Sequence, residues 1–298
     1  MRIRSIRIQT CLPILVRLTG AAVALAATPA FALKPAPEKP ASGDPVEVQL
    51  IAEHTELVPG QSQQLGLLLR HQPHWHTYWL NPGDSGLPTT LEWVLPSGYS
   101  ADEIDWPTPR RFAVGNLYNF GYDGETLLPV SITLPADAAV GSTAHVSLVT
   151  QWLVCREECI PGKASLAIDL PVVRAEAKPD PRWTGQFSEA RLEQPQATAW
   201  KGAVRDGGER FTVTLTGPGL PPASAQLDAL PVQRKLFDNK PPTIRRDGDA
   251  LVIEAGKSEY FTTAPSELDL LVTMASANGA RGWRVRIPFA ADATVPAR

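Results

Sequence analysis

Short segments in which apolar and polar residues alternate recur along the chain, and turns rich in Pro and Gly separate them. Side chains of a strand point alternately to opposite faces, so this pattern predicts strands with one buried face. Seven such segments in the first half span residues 46–51, 64–70, 74–79, 91–95, 127–134, 144–155 and 164–173. Short strands at this spacing, with no helix pattern among them, are typical of an immunoglobulin-like sandwich. We therefore predict such a sandwich for residues 46–175.

The second half, residues 176–298, carries weaker signals of the same kind. A polar stretch near residues 186–196 marks the boundary and is compatible with one short helix. Strand-like runs follow at residues 211–216, 251–254, 268–274 and 283–289. The whole fold is thus predicted to be all-β, with two immunoglobulin-like β-sandwich domains. The second half contains no Cys and no His, so we expect it to serve as a scaffold or a docking surface.

The N-terminus has the features of a secretory signal peptide. Residues 1–7 are basic, residues 18–27 are apolar, and residues 30–32 form an A-x-A cleavage pattern. The apolar run is too short to cross a membrane, although an uncleaved anchor is the alternative. We expect cleavage after Ala32, so that residues 1–32 are lost. A Pro-rich linker over residues 33–45 then precedes a mature protein that does not span the membrane.

Charge and cysteine usage limit the possible partners and the compartment. Four of the 28 basic residues and none of the 31 acidic ones lie in residues 1–32, so 24 and 31 remain after cleavage. The resulting net charge of about −7 argues against a nucleic-acid partner, which favours a basic face. An exported chain with two cysteines works where disulfides persist. In a Gram-negative bacterium that compartment is the periplasm.

The two cysteines expected to remain after export, Cys155 and Cys159, are separated by three residues and followed by Pro161-Gly162. Closing so small a loop stabilises a fold by only about 2 kcal/mol, against about 5 for a loop of a hundred residues. A pair this close is more useful for opening and closing than for tying distant strands together. Two alternatives remain on spacing alone. One is a local structural staple, and the other is half of a zinc site, for which the sequence offers no second Cys pair or His-x3-His.

Two loops of the first half are unusually rich in chemistry. Residues 81–88, Asn-Pro-Gly-Asp-Ser-Gly-Leu-Pro, predict a tight structural turn, with a direct functional role as the alternative. Residues 106–125 interleave aromatic residues with Gly and Asn. That composition favours a lid or a docking surface. A small hydrophobic cluster beneath the loop is the competing interpretation.

Several of these pieces together resemble the N-terminal periplasmic domain of the DsbD family of thiol–disulfide reductases. The resemblance is closest to the ScsB branch, the suppressor-of-copper-sensitivity proteins. It spans about a hundred residues in consistent order and is carried by residues 75–88, 104–107, 120–125, 127–130 and 152–162. The extra β-rich sequence of the second half is also similar to that branch.

The resemblance implies an immunoglobulin-like domain that exchanges electrons through one redox disulfide. Cys155 and Cys159 match the redox pair and are the implied catalytic residues. Cys159 is expected to form the mixed disulfide with a partner, and Cys155 is expected to resolve it. Phe120 and Tyr122 fall in the segment that forms an aromatic cap loop over the sulfurs in the family.

The family also implies partners and an electron source. The expected acceptors are soluble thioredoxin-fold proteins of the periplasm. Full-length relatives continue into a membrane domain that this sequence of 298 residues does not include. A separate membrane protein is therefore expected to supply electrons, and a domain repurposed for another role is the alternative. No cofactor and no metal ligand are predicted. The direction of electron flow and the role of the second half stay open.

The charged residues beside the cysteines predict how reactive the thiols are, independently of the family resemblance. Arg156 stabilises a thiolate at either neighbour, whereas Glu157 and Glu158 oppose it. Two acids against one base predict thiols that are not strongly activated, unless both carboxylates point into solvent.

Two rival functions remain. His71, His74 and His76 cluster near the predicted third strand and could bind copper together with the cysteines, which the copper tolerance of the ScsB branch makes relevant. Histidines that are simply packed or hydrogen-bonded are the alternative. The second rival is a non-redox adaptor with a permanent disulfide. No motif of a hydrolase or a nucleotide enzyme stands out.

Overall fold

Strands form most of the chain that the structure describes. The computed structural model describes residues 44–222, 225–276 and 279–289. The predicted signal peptide, its cleavage site and nearly all of the predicted linker lie outside these residues. Within the described ranges, no helix is long and apolar enough to cross a membrane. The prediction of an all-β fold is confirmed.

The first half is a sandwich of two sheets that face each other across one core. One sheet has the strand order β1-β2-β8-β5, and the other has the order β10-β9-β3-β7-β6 with β4 paired to β9. All pairings in these two sheets are antiparallel. The strands are β1 Val46–Ala52, β2 Ser62–His71, β3 His76–Gly83, β4 Thr90–Val94, β5 Ser100–Ala101, β6 Arg110–Val114, β7 Leu117–Tyr122, β8 Glu125–Thr133, β9 Thr143–Cys155 and β10 Cys159–Pro171.

The described part of the second half contains one helix and two further sheets of four strands each. Their orders are β11-β18-β17-β14 and β12-β13-β16-β15, with β11 parallel to β18. The elements are α1 Thr184–Glu193, β11 Gln196–Ala197, β12 Lys201–Asp206, β13 Arg210–Thr216, β14 Leu227–Pro231, β15 Thr243–Asp247, β16 Ala250–Gly256, β17 Glu267–Ser276 and β18 Gly279–Pro288. A second hydrophobic core lies between these sheets. The single helix falls where the polar stretch allowed one.

Strand β9 shows how alternation produces the sandwich. Val146 and Leu148 are fully buried, whereas His145 and Ser147, which alternate with them, are partly exposed. Each buried Leu or Val side chain contributes about 2 kcal/mol relative to an exposed one. Because a slip of one residue would bring the polar set into the core, this alternation also determines the register of β9 against its neighbours.

The aromatic segment of residues 106–125 is not a loop, which corrects the prediction. It contains the hairpin of β6 and β7, with β7 also paired to β3. The turn lies at Gly115 and Asn116, where Gly115 has a φ of +59°. The segment alternates too briefly to stand out in sequence, and its pairing with β3 depends on residues some 40 positions away.

Side chains of the second half pack into the hydrophobic core of the first half. Leu230 of β14 and Leu271 of β17 belong to the hydrophobic core of the first half. The described parts of both halves lie in one compact unit. The division into domains at residues 46–175 and 176–298 stays a prediction.

Candidate functional site

The hairpin of β9 and β10 brings the two cysteines together. Cys155 is the last residue of β9 and Cys159 is the first of β10, and they stand directly opposite each other in the register. Their Cα atoms are 4.2 Å apart and a disulfide joins them. Only Arg156, Glu157 and Glu158 form the connecting loop, in which the N–H of Arg156 donates to the carbonyl of Glu158 over 3.1 Å. The bridge therefore closes the tip of a hairpin.

The two sulfur-bearing residues differ in exposure. Cys155 is 1 % exposed, whereas Cys159 is exposed. The difference arises because Cys155 stands between two strands, opposite Cys159 on β10 and opposite His76 on β3. Among the described strands, β10 with Cys159 is an edge strand that pairs only with β9. An approaching thiol therefore meets Cys159 first.

Tyr78 is the side chain that contacts both sulfurs. It lies two residues beyond His76 on β3, so it points to the same face as His76 and Cys155. Its hydroxyl donates to Sγ of Cys155 over 2.8 Å and lies 3.5 Å from Sγ of Cys159. Nδ2 of Asn119 in turn donates to this hydroxyl over 3.3 Å. The phenol is thus held at the disulfide by a chain of hydrogen bonds.

The segment of residues 81–88, which contains the end of β3 and the turn that follows it, supports Tyr78. The hydroxyl of Ser85 donates to Oδ1 of Asn119 over 2.8 Å. Gly86 has a φ of +89°, and a Cβ added there would lie only 2.2 Å from Cζ of the Tyr78 ring. Glycine is required at this position both for its backbone conformation and for the space that the phenol occupies. The turn is therefore structural, and what it supports is the disulfide site.

Burial controls the protonation of the aromatic groups around the sulfurs. It raises the pKa of the Tyr78 hydroxyl, an effect that a hydrogen bond with Ser85 partly opposes. It lowers the pKa of His76 to about 4. At neutral pH the phenol therefore keeps its proton and can donate it to a hydrogen bond, and the imidazole is uncharged. Nδ2 of Asn119 lies 3.4 Å from Nε2 of His76, which accepts the amide proton in the neutral ring.

A charged loop surrounds the exposed end of the bridge. The guanidinium of Arg156 lies over the ring of Trp75 at 5.2 Å from its centroid. Glu157 and Glu158 are exposed, and within the described residues neither forms an ion pair. Because solvent screens exposed charges, the two carboxylates act only weakly on the thiols.

Phe120 and Tyr122, the predicted cap residues, lie elsewhere. Both belong to β7 and both are buried in the core of the sandwich, with 0 % and 5 % exposure. In the register Tyr78 stands opposite Gly121, and Thr77 stands opposite Tyr122. Positions 120 and 122 therefore face away from the sulfurs. Because both residues belong to strand β7, the expectation that they lie on a loop is wrong. A capping role for them stays a prediction.

The three clustered histidines do not converge. His71 donates from Nδ1 to the carbonyl of Gly124 over 2.8 Å, since a carbonyl only accepts, and its Nε2 accepts from Thr77 over 2.9 Å. His76 stacks on Phe112 with centroids 4.6 Å apart. His74 is exposed with a φ of +72°. Among the described residues no group of three Cys, His, Asp or Glu side chains could hold a metal ion.

A second constellation lies farther along β9 and β10. The hydroxyl of Ser147 lies 3.1 Å from Nε2 of His145, and Nδ1 of His145 contacts the carboxylate of Asp169. All three side chains lie on a partly exposed sheet face, and β9 is paired on both sides there, with β4 and β10. Backbone N–H groups engaged in these ladders cannot stabilise an oxyanion. The arrangement is a surface hydrogen-bond chain.

Sequence reasoning missed Tyr78, Asn119 and Phe112. These three residues and His76 are called the sulfur-side cluster below. A signal existed for Tyr78, because positions 76 and 78 of one strand share a face. Asn119 and Phe112 offered none, since their position depends on how the β6–β7 hairpin pairs.

Comparisons with known proteins agree with this geometry. Residues 47–171 match the family "Thiol:disulfide interchange protein DsbD, N-terminal". The N-terminal periplasmic domain of ScsB from Proteus mirabilis superposes with a TM-score of 0.62 at 19 % identity, covering 85 % of this chain and 98 % of that one. Among curated proteins no sequence match was found.

Two further solved structures match with low TM-scores. Spo0M from Bacillus subtilis gives a TM-score of 0.23 at 13 % identity, covering 82 % of this chain and 91 % of its own. A chimeric titin Z1Z2 gives 0.20 at 11 % identity, covering 83 % and 97 %. Residues 47–171 are therefore similar to the DsbD N-terminal family, and the overall fold is like that of the ScsB periplasmic domain.

Proposed function

We propose that this protein carries out thiol–disulfide exchange through Cys155 and Cys159. The observation that carries the proposal is the disulfide at the tip of the β9–β10 hairpin, with one exposed and one buried cysteine. Tyr78 donates a hydrogen bond to the buried sulfur. Hydrogen bonds to a thiolate favour its charged form, so this contact stabilises Cys155 when the bridge opens. The match of residues 47–171 to a thiol:disulfide interchange family supports the same chemistry.

The proposed exchange proceeds in two steps. In the reduced protein, the thiolate of Cys159 attacks one sulfur of a partner disulfide and forms a mixed disulfide, while the second partner sulfur leaves as a thiolate. The thiolate of Cys155 then attacks Sγ of Cys159, which closes the intramolecular bridge and releases the first partner sulfur. Two electrons pass to the partner and the protein becomes oxidised. The roles of attacking and resolving cysteine follow the difference in their exposure.

The partners and the compartment are part of the proposal. The acceptor is a soluble thioredoxin-fold protein, and a separate membrane protein reduces the bridge again. The protein works in the periplasm, which is the compartment of the similar ScsB domain. An exported location agrees with a disulfide that persists. Nucleic acid is not a partner, since the net charge is negative.

Trapping the mixed disulfide tests the proposal. In Cys155→Ser the resolving thiol is lost, so incubation with an oxidised thioredoxin-fold protein should leave a covalent complex through Cys159, visible on a non-reducing gel. The matched variant Cys159→Ser retains only the buried thiol and should give far less complex. Equal trapping by both variants would remove the assignment of roles. No trapping by either, with both folded, would contradict exchange with this class of partner.

A further inference from the structure

One arginine links the two halves beside the disulfide site. Arg111 of β6 forms a bidentate ion pair with Asp228, with Nε to Oδ2 at 2.8 Å and Nη2 to Oδ1 at 2.7 Å. Its guanidinium also donates to the carbonyls of Ala229 and Asn239. The side chain is only 8 % exposed and lies over the ring of Phe120 at 4.8 Å. Such a fork is held in position much more firmly than an exposed ion pair.

The strand that carries Arg111 also reaches the sulfurs. Phe112, the next residue, points to the opposite face and stacks on His76 with an interplanar angle of 8°. Asn119 stands directly opposite Phe112 in the register and donates to the hydroxyl of Tyr78. One residue step along β6 therefore separates the contact with the second half from the sulfur-side cluster.

Further contacts hold the same region against the second half. Nδ2 of Asn81, near the end of β3, donates to the carbonyl of Pro231 in β14 over 2.8 Å. The backbone N–H of Thr108, just before β6, donates to the carbonyl of Glu193 over 2.9 Å. Two of the three strands that carry the sulfur-side cluster, β3 and β6, are thus attached to the second half.

We propose that Arg111 is a positioning residue for the disulfide, through which Asp228 of the second half holds Tyr78 against Cys155. The inference rests on the proposed function, because it concerns the chemistry of the same bridge. Holding β6 in place keeps Phe112 on His76 and Asn119 on Tyr78. The Tyr78 hydroxyl can then donate to Sγ of Cys155 when the bridge opens, because the side chain already lies in the required position. The second half thereby acts on the redox pair although it contributes no sulfur.

Equilibration with dithiothreitol tests this proposal. In Asp228→Asn the fork is lost, Tyr78 is less well held, and the Cys155 thiolate is less stabilised. The equilibrium constant for reduction of the bridge should fall by about threefold or more, the scale at which residues linked to a site through packed contacts act. Alkylation of the thiols followed by mass measurement gives the reduced fraction, and circular dichroism gives the fold.

A matched control and a cycle of variants separate positioning from general stability. Asp269→Asn removes the carboxylate of another bidentate pair, with Arg284, whose two partners both lie in the second half. It should leave the equilibrium constant unchanged. The effect of Asp228→Asn should also vanish in a Tyr78→Phe background, where no hydroxyl remains to be positioned. If Asp228→Asn does not fold, Arg111→Lys replaces it, since Lys keeps the charge but not the fork.

Each outcome decides the proposal. A folded variant with an unchanged equilibrium constant, or an effect that adds to that of Tyr78→Phe, would overturn it. An equal fall in Asp269→Asn would overturn it as well, because the change would then follow stability alone. The measurement uses only dithiothreitol. It therefore gives an answer even if no thioredoxin-fold partner forms a mixed disulfide, so failure of the proposed function is seen separately.

Discussion

The hydroxyl of Tyr78 donates a hydrogen bond to Sγ of Cys155 over 2.8 Å, across 77 positions of sequence. The contact exists because β3 pairs with β9 and His76 stands opposite Cys155. Tyr78 lies two residues beyond His76 on β3 and therefore points to the same face of the sheet. A buried phenol at this point is a permanent donor, since burial raises its pKa. It favours the negatively charged form of the sulfur that leaves when the bridge opens.

Removal of this donor should make the bridge harder to reduce. In Tyr78→Phe the ring still packs but the Cys155 thiolate loses a charge-assisted hydrogen bond. Stabilisation of the reduced form raises a reduction potential, so its loss should lower the potential by about 20–40 mV. Equilibration in dithiothreitol buffers measures the change. Tyr260→Phe, at an exposed tyrosine, is the control and should leave the potential as it is. A potential that stays constant or rises in Tyr78→Phe would show that the hydroxyl does not act on the thiolate.

The space that Gly86 leaves beside the Tyr78 ring should be necessary for the full stability of the fold. In Gly86→Ala the new Cβ meets the ring at 2.2 Å, so the phenol must move. Gly141 has a similar φ, +86°, but no atom within 4 Å of an added Cβ. Gly141→Ala therefore carries only the backbone strain, about 1–2 kcal/mol. Urea unfolding should show an extra loss of about 1–3 kcal/mol for Gly86→Ala, as overpacked sites do. Equal losses in the two variants would mean that the ring yields freely.

The disulfide itself should contribute little to stability. The closed loop contains only the residues from Cys155 to Cys159, so the chain-entropy estimate is about 2 kcal/mol. A double variant, Cys155→Ser with Cys159→Ser, should fold and should lose about that much free energy of unfolding in urea. It should also lose all exchange with a partner. A variant that fails to fold would favour a structural staple, and one that retains exchange would remove the redox function.

Acidic pH should weaken the fold through His76. Burial lowers its pKa from 6.5 to about 4, so between these values the unfolded chain binds more protons than the native protein. The stability linked to His76 is complete above pH 6.5 and is lost as the pH falls toward 4, by up to about 3 kcal/mol. Urea unfolding at several pH values, compared with His76→Gln, measures this part.

The comparison with His76→Gln is needed because another group acts in the opposite direction. Burial raises the pKa of Glu193 from 4.5 to about 7. In that window the native protein holds the extra proton, so the stability linked to Glu193 falls as the pH rises. The difference in free energy of unfolding between wild type and His76→Gln should therefore change with pH between 4 and 6.5, because the contribution of Glu193 is common to both proteins and cancels. A difference in free energy of unfolding that stays constant with pH would show that burial does not lower the pKa of His76.

The sequence by itself determined the strands that have a regular pattern and the pairing of the cysteines. Alternation of apolar and polar residues is a local property, so it indicated β1, β2, β8, β9 and β10 near their observed positions. Two cysteines three residues apart beside a turn are close in any hairpin. The family resemblance rests on the same local motifs, and residues 47–171 match that family.

Only the tertiary structure decided which side chains surround the sulfurs. The register of β7 against β3 places Phe120 and Tyr122 in the core, and the position of Tyr78 on β3 brings its hydroxyl to the bridge. The contact between Arg111 and Asp228 joins residues 117 positions apart. Such relationships depend on strand pairing and on the packing of two sandwiches. These involve the whole chain at once, and so no local pattern can encode them.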